Sequence, residues 1–160
     1  MGALERHPLW VPSIYPQSYL YPRTTMSDIA AKTLKIVVVT PERALLDEAA
    51  EMVILPLFDG EFGVLAGHSP FVGQLGPGEL RVKQGGETKH FFIDGGFAQV
   101  SKNVVNILTQ YARKKEDLSD ALIGAEKTKA EALPANNAAE KTTKAKMNAR
   151  VAAMSRIAKK

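Results

Sequence analysis

Gly60-Glu61-Phe62-Gly63-Val64-Leu65-Ala66-Gly67-His68-Ser69-Pro70-Phe71-Val72-Gly73-Gln74-Leu75-Gly76-Pro77-Gly78 is the stretch from which the fold can be read. Glycine recurs at 60, 63, 67, 73, 76 and 78, proline follows at 70 and 77, and Phe, Val and Leu fill the gaps. A backbone that turns repeatedly while staying packed is written this way, because glycine takes positive φ at no steric cost and proline presets its own φ. A flexible linker carries glycine and serine without the large apolar residues. The segment is therefore expected to be structured, and it holds the chain's one His-Ser pair, His68 and Ser69.

On either side of it lie short β-branched and apolar runs, at 34–40, 51–57, 61–65, 71–75, 80–83, 89–94, 97–100 and 104–109. Their spacing is that of a β-sandwich or barrel. Pro41-Glu42-Arg43 ends the first run, and Gln84-Gly85-Gly86-Glu87 reads as a compact hairpin turn. Ser101-Lys102-Asn103 reads as a second, with Asn103 suited to positive φ.

After Arg113-Lys114-Lys115 the apolar period lengthens to that of a helix. Asp117 is placed to cap a first helix, with Asp120 three residues on, and Pro134 ends it near Leu133. Asn137 with Glu140 spells a capping box for a second helix reaching Ile157 or beyond. So short a turn makes the two helices antiparallel. Their apolar stripes are thin, Leu118, Leu122, Ala125 and Leu133 on one and Met147, Val151, Met154 and Ala158 on the other. At about 25 cal/mol per Å² such stripes hold a hairpin weakly, so it is expected to be a separable arm.

The 160 residues carry a formal charge of +4 and no cysteine, which excludes disulfides and cysteine-based metal or redox chemistry. The three histidines, at 7, 68 and 90, make no metal-ligand pattern. The basic excess is C-terminal: Lys141, Lys144, Lys146, Arg150, Arg156, Lys159 and Lys160 face only Glu140 over residues 137–160. No apolar run approaches the roughly 18 to 20 residues of a membrane span. Residues 1–31 are expected to be a disordered or mis-called extension, since Pro8, Pro12, Pro16 and Pro22 interrupt any periodicity and Met26 offers an alternative start.

The Gly-Glu-x-Gly-x-x-x-Gly-His-x-Pro string at 60–70, Gly76-Pro77-Gly78, Gly95-Gly96-Phe97 and an alanine-rich hairpin opening at Asp117-Leu118 together resemble the epsilon subunit of the F-type rotary ATP synthase, called delta in mitochondria. The resemblance covers roughly residues 32–158. It implies an α+β fold, a flattened antiparallel β-sandwich over residues 32–113 followed by an antiparallel two-helix hairpin over 114–160. It implies a non-catalytic rotor subunit of the central stalk, which couples c-ring rotation to the catalytic head and in many bacteria restrains ATP hydrolysis through the arm.

The resemblance also implies partners and sites. Gly60, Glu61, Phe62, Gly63, His68, Ser69 and Pro70 correspond to the end of the sandwich that meets the gamma subunit and the c-ring, with Gly60 to Gly63 read as a turn. Lys141, Lys144, Arg150 and Arg156 are the arm residues that would meet the alpha and beta subunits. The site would be the cytoplasmic face of a bacterial inner membrane, or the matrix side of the mitochondrial one, with membrane association only through the complex. Some bacterial members bind ATP at an Ile/Leu-Asp-x-x-Arg-Ala motif, where this chain has Leu118-Ser119-Asp120-Ala121-Leu122-Ile123. Leu122 in place of arginine removes the charge and the bidentate geometry that phosphate needs, so no cofactor and no ATP binding are expected.

Three other readings compete. His68, Ser69 and Asp94 could be arranged as a nucleophile set, but Pro70 follows the serine and no Gly-x-Ser-x-Gly elbow surrounds it. Nucleic acid is a poor partner, because the basic arm has no aromatic residues for stacking. A generic β-sandwich interaction module with a basic helical tail is where composition and periodicity alone stop.

Overall fold

The computed structural model describes residues 33–160, so the expectation for residues 1–31 lies outside the described residues. Eight strands form one hydrogen-bonded sheet, seven of them in the order β2-β1-β7-β6-β5-β3-β4 and β8 off that path on β6. They are β1 (Leu34–Val39), β2 (Ala44–Ala50), β3 (Met52–Leu57), β4 (Gly60–Leu65), β5 (Phe71–Gln84), β6 (Glu87–Ser101), β7 (Val104–Leu108) and β8 (Ala112–Lys114). A single turn of 3-10 helix at Lys115–Asp117 leads into α1 (Asp120–Ala132) and α2 (Ala138–Ala158).

Two long strands make this path a sandwich. β5 and β6 pair in one constant register from Gln84↔Glu87 to Phe71↔Val100, with only the Gly76 and Gly95 pair left out, beside the positive φ of Gly95 and Gly96. Strands that switch layers do so at such irregularities. Gly96 lies at φ 117°, and a Cβ there would sit 2.0 Å from the Leu108 carbonyl oxygen, so the bend requires glycine. Leu34, Ile36 and Val38 from one layer and Val53, Leu55, Val64, Leu80 and Val82 from the other meet in one buried core.

Several expectations are corrected. The runs at 71–75 and 80–83 belong to one bent strand, as do those at 89–94 and 97–100, because hydrogen bonding resumes beyond each glycine. The sandwich is not wholly antiparallel: β1 and β7 pair parallel, Lys35 against Val104 through Val39 against Leu108. Strand β2, Ala-Leu-Leu-Asp-Glu-Ala-Ala, and the short β8 went unread, since β2 is composed of good helix formers and owes its extended state to pairing with β1. The expected tight turns do occur, with Gly85 and Gly86 at φ 58° and 82° and Lys102 and Asn103 at 50° and 61°.

The cap of α1 is Ser119 and not Asp117, which falls in the preceding 3-10 turn; the Leu122 amide donates to the Ser119 hydroxyl. At α2 Asn137 caps as expected, while the return contact from Glu140 reaches the residue before the cap. The Glu140 amide donates to Asn137 Oδ1 at 2.8 Å, and the Glu140 carboxylate accepts from the Asn136 amide at 2.8 Å and from Asn137 Nδ2 at 2.9 Å. Lys144 Nζ closes the other side of the turn by donating to the carbonyls of Glu131 and Leu133, at the C-terminal end of α1. The hairpin lies against the sandwich, where Phe92 of β6 is buried among Leu118, Ala153, Met154 and Ile157.

Candidate interaction surface

Glu61 stands on the edge strand β4, paired through its backbone with Pro56. The turn that was expected at Gly60 to Gly63 is one step earlier, at Phe58-Asp59, and Gly60 to Gly63 are strand residues. Phe58 projects from that turn 80% exposed. Glu61 forms an ion pair with Arg81, reaching over from β5.

Phe62 joins the edge strand to the loop that follows. Its ring stacks on Phe71 at 4.8 Å between centroids and meets His68 edge-on at 5.2 Å. His68 Nδ1 donates to the Ser69 carbonyl at 2.7 Å, and the Gly67 amide donates to Asn103 Oδ1, also at 2.7 Å. Phe62 and His68 are thus brought together with Ser69 and Pro70 beside them in the exposed loop. Asp94 is engaged elsewhere, its carboxylate with Arg150 and its amide with the Tyr111 carbonyl, so the His-Ser-Asp set is not assembled. Among the described residues no group of three His, Cys, Asp or Glu could hold a metal ion.

The outward face of the other layer carries a surface that sequence reasoning missed. Val39, Leu108 and Phe97 sit on neighbouring rungs of β1, β7 and β6, since Val39 is opposite Leu108 and Leu108 opposite Phe97. All three are exposed, Phe97 and Leu108 at 59% and 58%. With Pro41, Thr40, Gly96, Thr109 and Gln110 they line a groove of about 490 Å³. Val72 is also exposed, 70% of it, one strand further on. The signal was available: an alternating strand whose outward phase is apolar is expected to be covered by something.

The arm residues divide into two kinds. Lys141 and Arg156 are exposed, whereas Lys144 and Arg150 turn inward. Arg150 contacts Asp94 at 2.9 Å and approaches Glu126 at 3.6 Å, with its guanidinium 4.5 Å from the centre of the Tyr111 ring. Burial pushes the Asp94 carboxyl above its usual range, with Arg150 opposing and Glu126 adding to the rise. Arg156 lines a second cavity, of about 290 Å³, together with Gly60, Glu61, Glu79 and Lys160, so the end of the arm adjoins the β4 edge.

Comparison with known proteins agrees with this architecture. The family described as ATP synthase, Delta/Epsilon chain, beta-sandwich domain matches residues 33–115. The ATP synthase epsilon chain of Rhodopirellula baltica is 48% identical over 101 residues, covering 63% of this chain and 77% of that one. The epsilon chain of Nitratidesulfovibrio vulgaris strain DP4 is 45% identical over 87 residues, covering 54% and 65%. A chain in the Euglena gracilis mitochondrial ATP synthase structure of OSCP, F1 and c-ring superposes with a TM-score of 0.68 at 25% identity, covering 95% of this chain and 98% of its own. A chain of the Tetrahymena thermophila mitochondrial ATP synthase central stalk and c-ring shares the fold, with a TM-score of 0.65 at 14% identity over 78% and 96% of the two chains. The sandwich with its C-terminal helical pair and the resemblance carried by residues 60–78 lead to one conclusion: this chain belongs to the ATP synthase delta/epsilon family.

Proposed function

We propose that this chain is the central-stalk rotor subunit of a proton-translocating ATP synthase, performing no chemistry itself and transmitting c-ring rotation to the catalytic head. The observation that carries the reading is the exposed apolar row Val39, Leu108 and Phe97 on a folded sandwich, a face suited to a protein partner. The gamma subunit is the partner proposed for it. The Glu61 and His68 edge, with Gly60, Phe62, Gly63, Ser69 and Pro70, is proposed to meet the c-ring loops and gamma, where Glu61 offers an exposed carboxylate to basic or polar groups.

For the hairpin, residues 114–160, the proposal is an arm that can leave the sandwich at residues 32–113 and reach the alpha and beta subunits. Of the four, Lys141 and Arg156 are exposed in the folded position, Lys144 is engaged by the first helix of the hairpin itself, and Arg150 leaves Asp94 only when the arm opens. The proposed location is the cytoplasmic face of a bacterial inner membrane, attached through the complex, in keeping with the bacterial relatives. Among the described residues no helix is long and apolar enough to cross a membrane.

Purification from membranes through a tag on this chain tests the reading. Recovery of gamma, alpha, beta and the c-ring is expected, and recovery of none of them would reject it. Because the chain has no cysteine, single cysteines at Glu61, His68 and Phe97 locate the contacts by cross-linking: Glu61→Cys to a c-ring loop, Phe97→Cys to gamma.

A further inference from the structure

We infer that the hairpin is held closed by an ionic latch with two pins, Arg150 on Asp94 and Lys160 on Glu79, set on either side of the apolar contact over Phe92.

The first pin joins three elements. Arg150 of α2 donates to Asp94 of β6 at 2.9 Å, lies near Glu126 of α1, and covers the face of Tyr111 in the segment between β7 and β8. Tyr111 is itself held, its hydroxyl accepting from Arg113 Nε at 3.0 Å and its backbone carbonyl accepting from the Asp94 amide at 3.0 Å. Asp94 immediately precedes Gly95-Gly96, so the bend that makes the sandwich also fixes the residue that Arg150 finds. A planar guanidinium can bond a carboxylate and stack on an aromatic ring at once, which an ammonium cannot do equally well.

The second pin lies ten residues further along the chain, just past the end of α2. Lys160 Nζ donates to one oxygen of Glu79, and His90 Nδ1 contacts the other at 2.8 Å. Glu79 is one of two buried polar side chains among the described residues. Between the pins, Ala153, Met154 and Ile157 cover Phe92. The apolar contact is small, as the thin stripe of α2 requires, and the charges at its ends set its register along β6.

Opening the arm carries Arg150 and Glu126 away together and leaves Asp94 and Glu79 on the sandwich without their cations. What opening gives up is two charge-assisted hydrogen bonds, Arg150 to Asp94 and Lys160 to Glu79, each stronger than a neutral one. The latch therefore resists opening, and Arg150 can serve either the closed arm or a partner of the open arm, never both.

The test uses the full chain with spin labels on introduced cysteines at Thr88 in β6 and Asn148 in α2, both exposed and outside the latch. The unaltered latch is expected to give one narrow distance distribution. Arg150→Gln, Asp94→Asn and Lys160→Gln are each expected to raise the open-to-closed ratio about tenfold, the size expected for loss of a hydrogen bond to a charged group. Arg150→Gln combined with Asp94→Asn should open the arm less than the product of the two single effects, because the second change removes a partner already lost. Strand content by circular dichroism identifies any variant that has unfolded. Unchanged distances in folded Arg150→Gln and Lys160→Gln chains, or a multiplicative double variant, would overturn the latch. Any effect on ATP hydrolysis rests on the rotor reading above, whereas this measurement needs only the isolated chain, so the two can fail separately.

Discussion

The Gly67 amide donates to the Asn103 side chain at 2.7 Å, tying the loop that carries His68 to the tight turn between β6 and β7. Asn103 has a second duty, since it occupies the left-handed region at φ 61°. Asn103→Gly keeps the backbone conformation and deletes the bond, at an expected cost of about 1 kcal/mol. Asn103→Ala loses both and should cost about 1 kcal/mol more. Urea melts of the two variants check the difference, and equal values would show that the turn bears no strain.

Two glycines should respond in opposite ways to the same substitution. At Gly96 the added methyl meets the Leu108 carbonyl, so Gly96→Ala is expected to destabilise by about 3 kcal/mol or more. At Gly124, inside α1, nothing lies within 4 Å of the new carbon, and Gly124→Ala should stabilise by about 0.5 to 1 kcal/mol. Thermal unfolding of both variants decides the matter.

Glu79 predicts an acid limit. Burial by itself would raise its pKa, but hydrogen bonds from Lys160 and His90 and their charges outweigh that and hold it below 4.5. A carboxylate depressed on folding stabilises the native state fully above its unfolded pKa and loses that contribution as pH falls through the folded value. Stability should thus decline below about pH 4.5, and Glu79→Gln should flatten that part of the profile while lowering stability at neutral pH. An unchanged acid limb in the variant would show that Glu79 is not the group responsible.

Calorimetric titration of the isolated chain with ATP is expected to show no binding at micromolar concentrations. Leu122 stands at the arginine position of the Ile/Leu-Asp-x-x-Arg-Ala motif, and it packs against the Phe92 cluster. Micromolar affinity would mean that another set of residues receives the nucleotide.

The fold and family were largely legible before the structure. Residues 60–78 placed the turns, and the alternation in Leu34, Ile36 and Val38 named core positions that are in fact buried. What local pattern could not supply was pairing: β2 carries no strand pattern until β1 is set beside it, and the segments on either side of Gly76 read as separate strands until they are paired with β6. The site was legible in part. Phe62 and His68 do meet, but the apolar row on β1, β7 and β6 emerges only when three strands distant in the chain are put in register. Arg150 was legible as a charge and not as a latch, because Asp94 is 56 residues away.

The parallel pairing of β1 with β7 has a consequence for how the chain comes to be folded. β1 is complete at Val39, yet its neighbour on the sheet interior begins at Val104, so a nascent chain must expose Leu34, Ile36 and Val38 until most of the protein has been made. Pairings so far apart in sequence are slow to form and leave an open edge in the meantime. The first strand therefore waits on the seventh, and in the cell the subunit is vulnerable to aggregation and proteolysis until that partner leaves the ribosome.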